Sequence, residues 1–397
     1  MRAQRLLMLL AAFAGTLFLS TGANAEPPVR VGFSLARTGF LATGTDTQSN
    51  AYELWKEQVN ARGGLDVKGT KRPIEFVDYD DQSDASKSLQ IYEKLITNDK
   101  VDLLLAPWGS PSHVAVAGVL ERYQFPMIGN SASSVKLREL KPGNIWFTSS
   151  QMPDHFAAMM VDTLAREGVK SVAIMALQVP YGLEVQSFTV ANLKKAGIEI
   201  KFNENYPPTI KDMTALIAAA KAGDPDAVLV LSFPADGAIY LRQARELGVN
   251  SRFQVVLIGV TQPWFLKEFG ESANGIVTEG SWSPDRKDWP RAKPFYDAYL
   301  KKFREPPDYL NAVLGYMSCE ILEQAVAKAG LDRDLLRKEI SSSTFETING
   351  PVKFSGIENA VTPPGLLQIQ NGKVEIISPQ NIATAGYVNK RAWPQKQ

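Results

Sequence analysis

Residues 101–123, VDLLLAPWGSPSHVAVAGVLERY, leave a folding chain few options. The run Val101–Ala106 is apolar. It breaks at Pro107-Trp108-Gly109-Ser110-Pro111, and apolar residues then return at Val114, Val116, Ala117, Leu120 and Tyr123. An apolar run, a break and a 3.6-residue period predict strand, turn and helix. In a parallel α/β sheet such a turn lies at the carboxyl edge, where ligands bind. Ser110 is placed to cap the helix, with Pro111 at its first position. The free N–H groups there favour a carboxylate or another anion. Trp108 adds an apolar plane beside them.

The same alternation runs through most of the chain. Strands are predicted at 29–35, 73–79 and 125–128, with helices from about Thr47 to Asn60 and from Ala85 to Ile96, the latter capped by Asp84. The pattern restarts after Phe147. Helix 154–167, strand 171–176, a helix to Ala196, strand 198–203, strand 227–231, helix 237–247 and strand 254–258 form a second array of similar size. Strand–helix alternation predicts parallel sheets covered by helices on both faces. Three helices follow the second array and are expected to return to the first. A hairpin turning at Asn371-Gly372 ends the pattern.

Residues 1–25 stand apart. Arg2 and Arg5 precede an apolar run, and Ala23-Asn24-Ala25 follows it, the layout of an export signal cleaved after Ala25. The run is shorter than the roughly 20 residues of a spanning helix. Without it the net charge falls from +1 to about −1, and no basic run with interleaved aromatics suggests nucleic acid. Cys319 is the only cysteine, so an exported chain has no internal disulfide to rely on. The two histidines, His113 and His155, lie in no metal spacing, and no Walker, GxSxG, HExxH or GxGxxG signature appears. No metal, cofactor or catalytic chemistry is expected.

An ordered set of short matches then spans the mature chain: Val31-Gly32-Phe33-Ser34, Asn60-Ala61-Arg62-Gly63-Gly64, Asp80-Asp81, Pro126-Met127-Ile128, Tyr181-Gly182, Pro225-Asp226-Ala227-Val228 and Gly350-Pro351-Val352-Lys353-Phe354. In these the chain resembles the periplasmic solute-binding proteins of ABC importers, in the branched-chain amino-acid group. The resemblance implies an α/β, type I periplasmic binding fold: two Rossmann-like lobes with parallel sheets, joined by three crossovers. These are expected near Thr148–Ser150, Gly280–Ser283 and Ser355–Glu358. Lobe 1 is then 26–148 plus 282–355, and lobe 2 is 149–281 plus 356–397. The resemblance further implies a monomer in the periplasm that delivers a small molecule to a membrane permease.

For the site, the resemblance places the contacts to a ligand carboxylate on Ser110, Ser131 and Ser133, and a second-lobe tyrosine on Tyr181. A tyrosine common in the family becomes Phe233. The acid that pairs with an amino acid's ammonium falls on Val260, and the family's disulfide positions fall on Ser83 and Gly109. A buried ammonium without an anionic partner costs several kcal/mol. The expected ligand is therefore a carboxylate without an ammonium, an aromatic acid first and an aliphatic acid second, walled by Phe40, Trp108, Tyr181 and Phe233. Arg37 is a candidate carboxylate partner, set against the favoured reading of a solvated surface arginine.

Overall fold

The computed structural model describes residues 26–390 and 392–393. The predicted export signal lies outside them. The first array runs β1 (Val29–Leu35), α1 (Ala42–Ala61), the hairpin β2 (Leu65–Val67) and β3 (Thr70–Arg72), β4 (Ile74–Asp80), α2 (Ala85–Thr97), β5 (Leu103–Leu104), α3 (Ser110–Tyr123), β6 (Met127–Gly129), α4 (Val135–Leu140) and β7 (Ile145–Phe147). β1 pairs in parallel with β4 and β5. A parallel bridge between Leu105 and Ile128 carries the sheet on to β6 and β7.

The second array runs α5 (Pro153–Arg166), β8 (Ser171–Leu177), α6 (Pro180–Ala196), β9 (Glu199–Tyr206), α7 (Thr214–Ala222), β10 (Ala227–Leu231), α8 (Pro234–Glu246), β11 (Phe253–Val256), α9 (Pro263–Phe269) and β12 (Ile276–Glu279). Its strands β9, β8, β10, β11 and β12 lie side by side in parallel. Every residue of β8 and β10 is buried. Their sequences SVAIMAL and AVLVL show no in–out alternation, as strands covered on both faces require.

The chain then returns. α10 (Ala292–Phe303), α11 (Asn311–Ala329) and α12 (Arg333–Ser342) pack on the first lobe, with α11 against α1. β13 (Thr344–Thr347), β14 (Gly350–Ser355) and β15 (Glu358–Asn359) extend the first sheet next to β7, and β16 (Leu366–Gln370) and β17 (Lys373–Ser378) extend the second next to β12. β16 and β17 meet at Asn371-Gly372, both with positive φ, as a two-residue hairpin requires. Three straps thus link the lobes. The first two follow β7 and β12. The third lies at 360–365, beyond the expected 355–358, because Glu358 still pairs with Phe147 in the first sheet.

Candidate functional site

Strand ends from both lobes converge on a cavity. Trp108, Gly109, Ser110, Ser131, Ala132, Ser133 and Ser149 line its first-lobe side and Tyr181, Phe233, Ile258 and Glu279 its second-lobe side. Gln151 of the first strap and Leu310, Asn311 and Leu314 at the start of α11 complete the wall. Trp108, Ser110, Tyr181, Phe233 and Glu279 are all buried, so the two lobes are closed over the cavity.

The turn after β5 differs from expectation in one detail. Gly109, not Ser110, is the N-cap of α3; it takes φ 80°, ψ 152°, a backbone conformation suited to glycine. Ser110 is already helical and its hydroxyl caps nothing. It accepts from the Ser133 N–H at 3.4 Å and donates to the Ser133 carbonyl at 3.3 Å. The Ser131 hydroxyl accepts from the Gly109 N–H at 3.1 Å. The Ser133 hydroxyl donates to Ser149 at 3.0 Å. Three hydroxyls from two neighbouring loops are thereby joined at the N-terminus of α3. His113 locks the loops from behind: Nδ1 lies 2.9 Å from the Gly109 carbonyl, and Nε2 accepts from the Asn130 N–H at 3.4 Å.

The aromatic side is equally constrained. Trp108 and Phe233 meet edge to face across the lobes, with ring centroids 5.4 Å apart at 81°. The Trp108 indole donates to Asn311 Oδ1 at 3.1 Å, and Asn311 Nδ2 donates to the buried Asp308 at 3.0 Å. On the other side the Phe233 N–H donates to Asp236 Oδ1 at 3.2 Å at the start of α8. Burial pushes the Asp236 carboxyl up to about 6.

Three expected residues lie elsewhere. Arg37 is half-exposed and paired with Asp78. Phe40 is 42% exposed at the bend before α1, and it is Gly44, one turn into α1, that packs against Trp108. Val260 is fully buried in the second-lobe core: Gly259, at φ 101°, turns the chain after Ile258, so that Ile258 reaches the cavity and Val260 does not.

The expectation of a second lobe without an acid is therefore corrected. Glu279, the last residue of β12, lines the cavity and is buried. Tyr181 Oη donates to its Oε2 at 2.6 Å and lies 3.3 Å from the Gln151 carbonyl. Burial pushes the Glu279 carboxyl up to about 8, against the Tyr181 hydrogen bond, which pulls it down. A lone acid closing the β-branched run Ile276-Val277-Thr278 is the only mark in the sequence, and it reads equally as a strand end facing solvent.

Two lobes, parallel sheets, three straps and a closed cavity at the strand ends define a cleft-type solute-binding protein. The family model described as periplasmic binding protein matches residues 28–372, and the chain belongs to that family. A Leu/Ile/Val-binding protein homolog from Brucella suis is 24% identical over 354 residues, covering 85% of this chain and 86% of the relative. Among solved structures, a branched-chain amino acid transporter substrate-binding protein from Streptococcus pneumoniae in complex with isoleucine superposes with TM-score 0.79 at 22% identity, covering 89% of this chain and 100% of its own. An ABC-transporter solute-binding protein from Rhodopseudomonas palustris in complex with a dihydroxybenzoic acid superposes with TM-score 0.78 at 22% identity, covering 93% and 98%.

Proposed function

We propose that the chain is the periplasmic receptor of an ABC importer, which captures a small carboxylate between its lobes and delivers it unchanged to a membrane permease. One observation carries this reading: the closed cavity sets three serine hydroxyls and a helix N-terminus on one lobe against an aromatic pair spanning both. Hydroxyls and unpaired N–H groups at a helix start suit a carboxylate. The Trp108–Phe233 pair and the aliphatic Ile258, Leu310 and Leu314 suit an apolar body, and the flat aromatic faces favour an aromatic acid. A branched-chain amino acid is the second reading, and Glu279 is the observation that favours it, since a buried acid can pair with an ammonium.

Closure is the working step. A solute that touches Ser110 on one lobe and Tyr181 on the other favours the closed form by its contacts to both. A thermal-shift screen over aromatic acids, aliphatic acids, amino acids and amides tests the reading. A true ligand at a hundredfold excess over its Kd adds about 2.7 kcal/mol to the folded state. A response to amides or sugars and to no carboxylate would sink the carboxylate assignment, while leaving the receptor class standing.

A further inference from the structure

The three straps are bonded to one another. The third is stiff in itself, because Pro363 and Pro364 fix two of its φ angles. Asn359, at its start, accepts at Oδ1 from the Val361 and Thr362 N–H groups, both at 3.2 Å. The same side chain donates from Nδ2 to the Thr148 carbonyl of the first strap at 3.1 Å. The Ser150 hydroxyl of the first strap donates to the Pro363 carbonyl at 3.0 Å. Gly365 closes the third strap and meets both others. Its N–H donates to Gln151 Oε1 at 3.4 Å, and its carbonyl accepts from the Gly280 N–H of the second strap at 3.0 Å. A Cβ on Gly365 would lie 2.6 Å from the Gly280 carbonyl oxygen, so these two straps touch backbone to backbone. Thr148, Ser150, Gln151 and Asn359 are buried, where water competes little for such bonds.

Three separate linkers would let two lobes twist and shear as well as close. Linkers bonded to a common stiff member must turn together. We propose that the third strap is a yoke that couples the three crossovers into one hinge with one axis, and that Asn359 and Ser150 are the positioning residues that fasten the first strap to it. The yoke reaches the ligand cavity at Gln151. That residue lines the cavity, takes Gly365 on its side chain, and has its carbonyl 3.3 Å from Tyr181 Oη. The inference rests on the lobe closure invoked above and adds what confines it.

The test uses ligand-free protein carrying Ser150→Ala and Asn359→Asp. The aspartate keeps Oδ1 for the Val361 and Thr362 N–H groups and loses the donor to Thr148. Neither residue lines the ligand cavity. The first readout is hydrogen exchange at the Gly280 amide, on the second strap, which neither substitution touches. In a yoked hinge it should exchange at least about 5-fold faster in the double variant, the equivalent of one net hydrogen bond of about 1 kcal/mol. The second is the inter-lobe distance from pulsed electron spin resonance, with nitroxides at Gln90→Cys on α2 and Lys194→Cys on α6. Both positions are exposed, and the buried Cys319 leaves labelling to them. The distance distribution should broaden when the first strap is unfastened. Either readout remaining at its wild-type value overturns the proposal. So does faster exchange at the protected amides of both lobes alike, which would mark a general loss of stability. If the double variant does not fold, Ser150→Ala alone, which removes one hydroxyl, is read in the same way. The receptor reading is decided separately by the thermal-shift screen, so the two can fail independently.

Discussion

Glu184 of the second lobe grips Ser134 of the first. Its Oε1 accepts from the Ser134 hydroxyl at 2.8 Å and its Oε2 from the Val135 N–H at 2.9 Å. Glu184 lies one turn after Tyr181 on α6, so a single turn carries both a cavity wall and an inter-lobe clasp. On another segment of the cleft rim the Trp264 indole donates to the Thr43 carbonyl at 3.3 Å. These contacts bridge the two lobes in the closed arrangement.

Glu184→Ala is therefore expected to open the molecule without touching the cavity. Two hydrogen bonds to a half-buried carboxylate are worth about 1–2 kcal/mol here, a factor of roughly 5–30 in the closed-to-open ratio. Small-angle scattering should show a larger radius of gyration at subsaturating ligand, and stopped-flow a faster ligand release. An unchanged radius together with an unchanged off-rate would make the clasp incidental.

The indole of Trp108 is set by Asn311, 203 residues away in sequence. Asn311→Ala strands a buried N–H, at about 1–3 kcal/mol, and frees the ring to rotate. Trp108→Phe removes the N–H and leaves Asn311 behind. The double variant should cost less than the sum of the two, with an interaction energy of about 1 kcal/mol in urea unfolding. Strict additivity would mean that the hydrogen bond does not hold the ring.

The fold was legible because its signals are local. Strand β8 is apolar without alternation, and the turn after β5 breaks at Pro107 and restarts at helical spacing, so both placed themselves. Ser110, Ser131, Ser133 and Tyr181 follow strand ends directly, which put them at the sheet edge. The remainder of the site was not legible. Glu279 ends a strand buried on both faces, where the period of two carries no in–out signal, and the strand that flanks it, β16, comes from far along the chain. Asn311 and Leu314 enter from a helix that returns after the second array, and no short pattern ties them to Trp108. Val260 follows a strand end as a site residue would, but the positive φ of Gly259 turns it into the core.

Gly44 should tolerate nothing larger. A Cβ built there would lie 2.6 Å from Trp108 Cζ2. Its φ is ordinary for a helix, so the constraint is contact with the indole and not backbone strain. Gly44→Ala must push the ring toward Phe233 or lift the start of α1, at about 1–3 kcal/mol. Both a lower urea midpoint and weaker ligand binding are expected. Wild-type affinity with an unchanged midpoint would show that the indole has room to yield.

Acid should loosen the serine loops through His113. The ring is buried, and burial holds its pKa down at about 4, against about 6.5 in an unfolded chain. Between these values the unfolded state takes up the proton and the folded state does not, so this contribution to stability is complete above about pH 6.5 and is lost as the pH falls toward 4. A gap of this size is worth about 3 kcal/mol. Glu279 acts in the opposite sense. Its carboxyl is raised to about 8, so it favours the folded state at acid pH and withdraws that support as the pH climbs from about 4.5 toward 8. The two slopes are separable by substitution. His113→Gln should remove the loss of stability on going from about pH 6.5 to 4 in urea titrations, and Glu279→Gln should remove the loss on going from about pH 4.5 to 8. A wild-type acid slope that persists in His113→Gln would assign it to other groups and leave His113 as a pH-insensitive brace between Gly109 and Asn130.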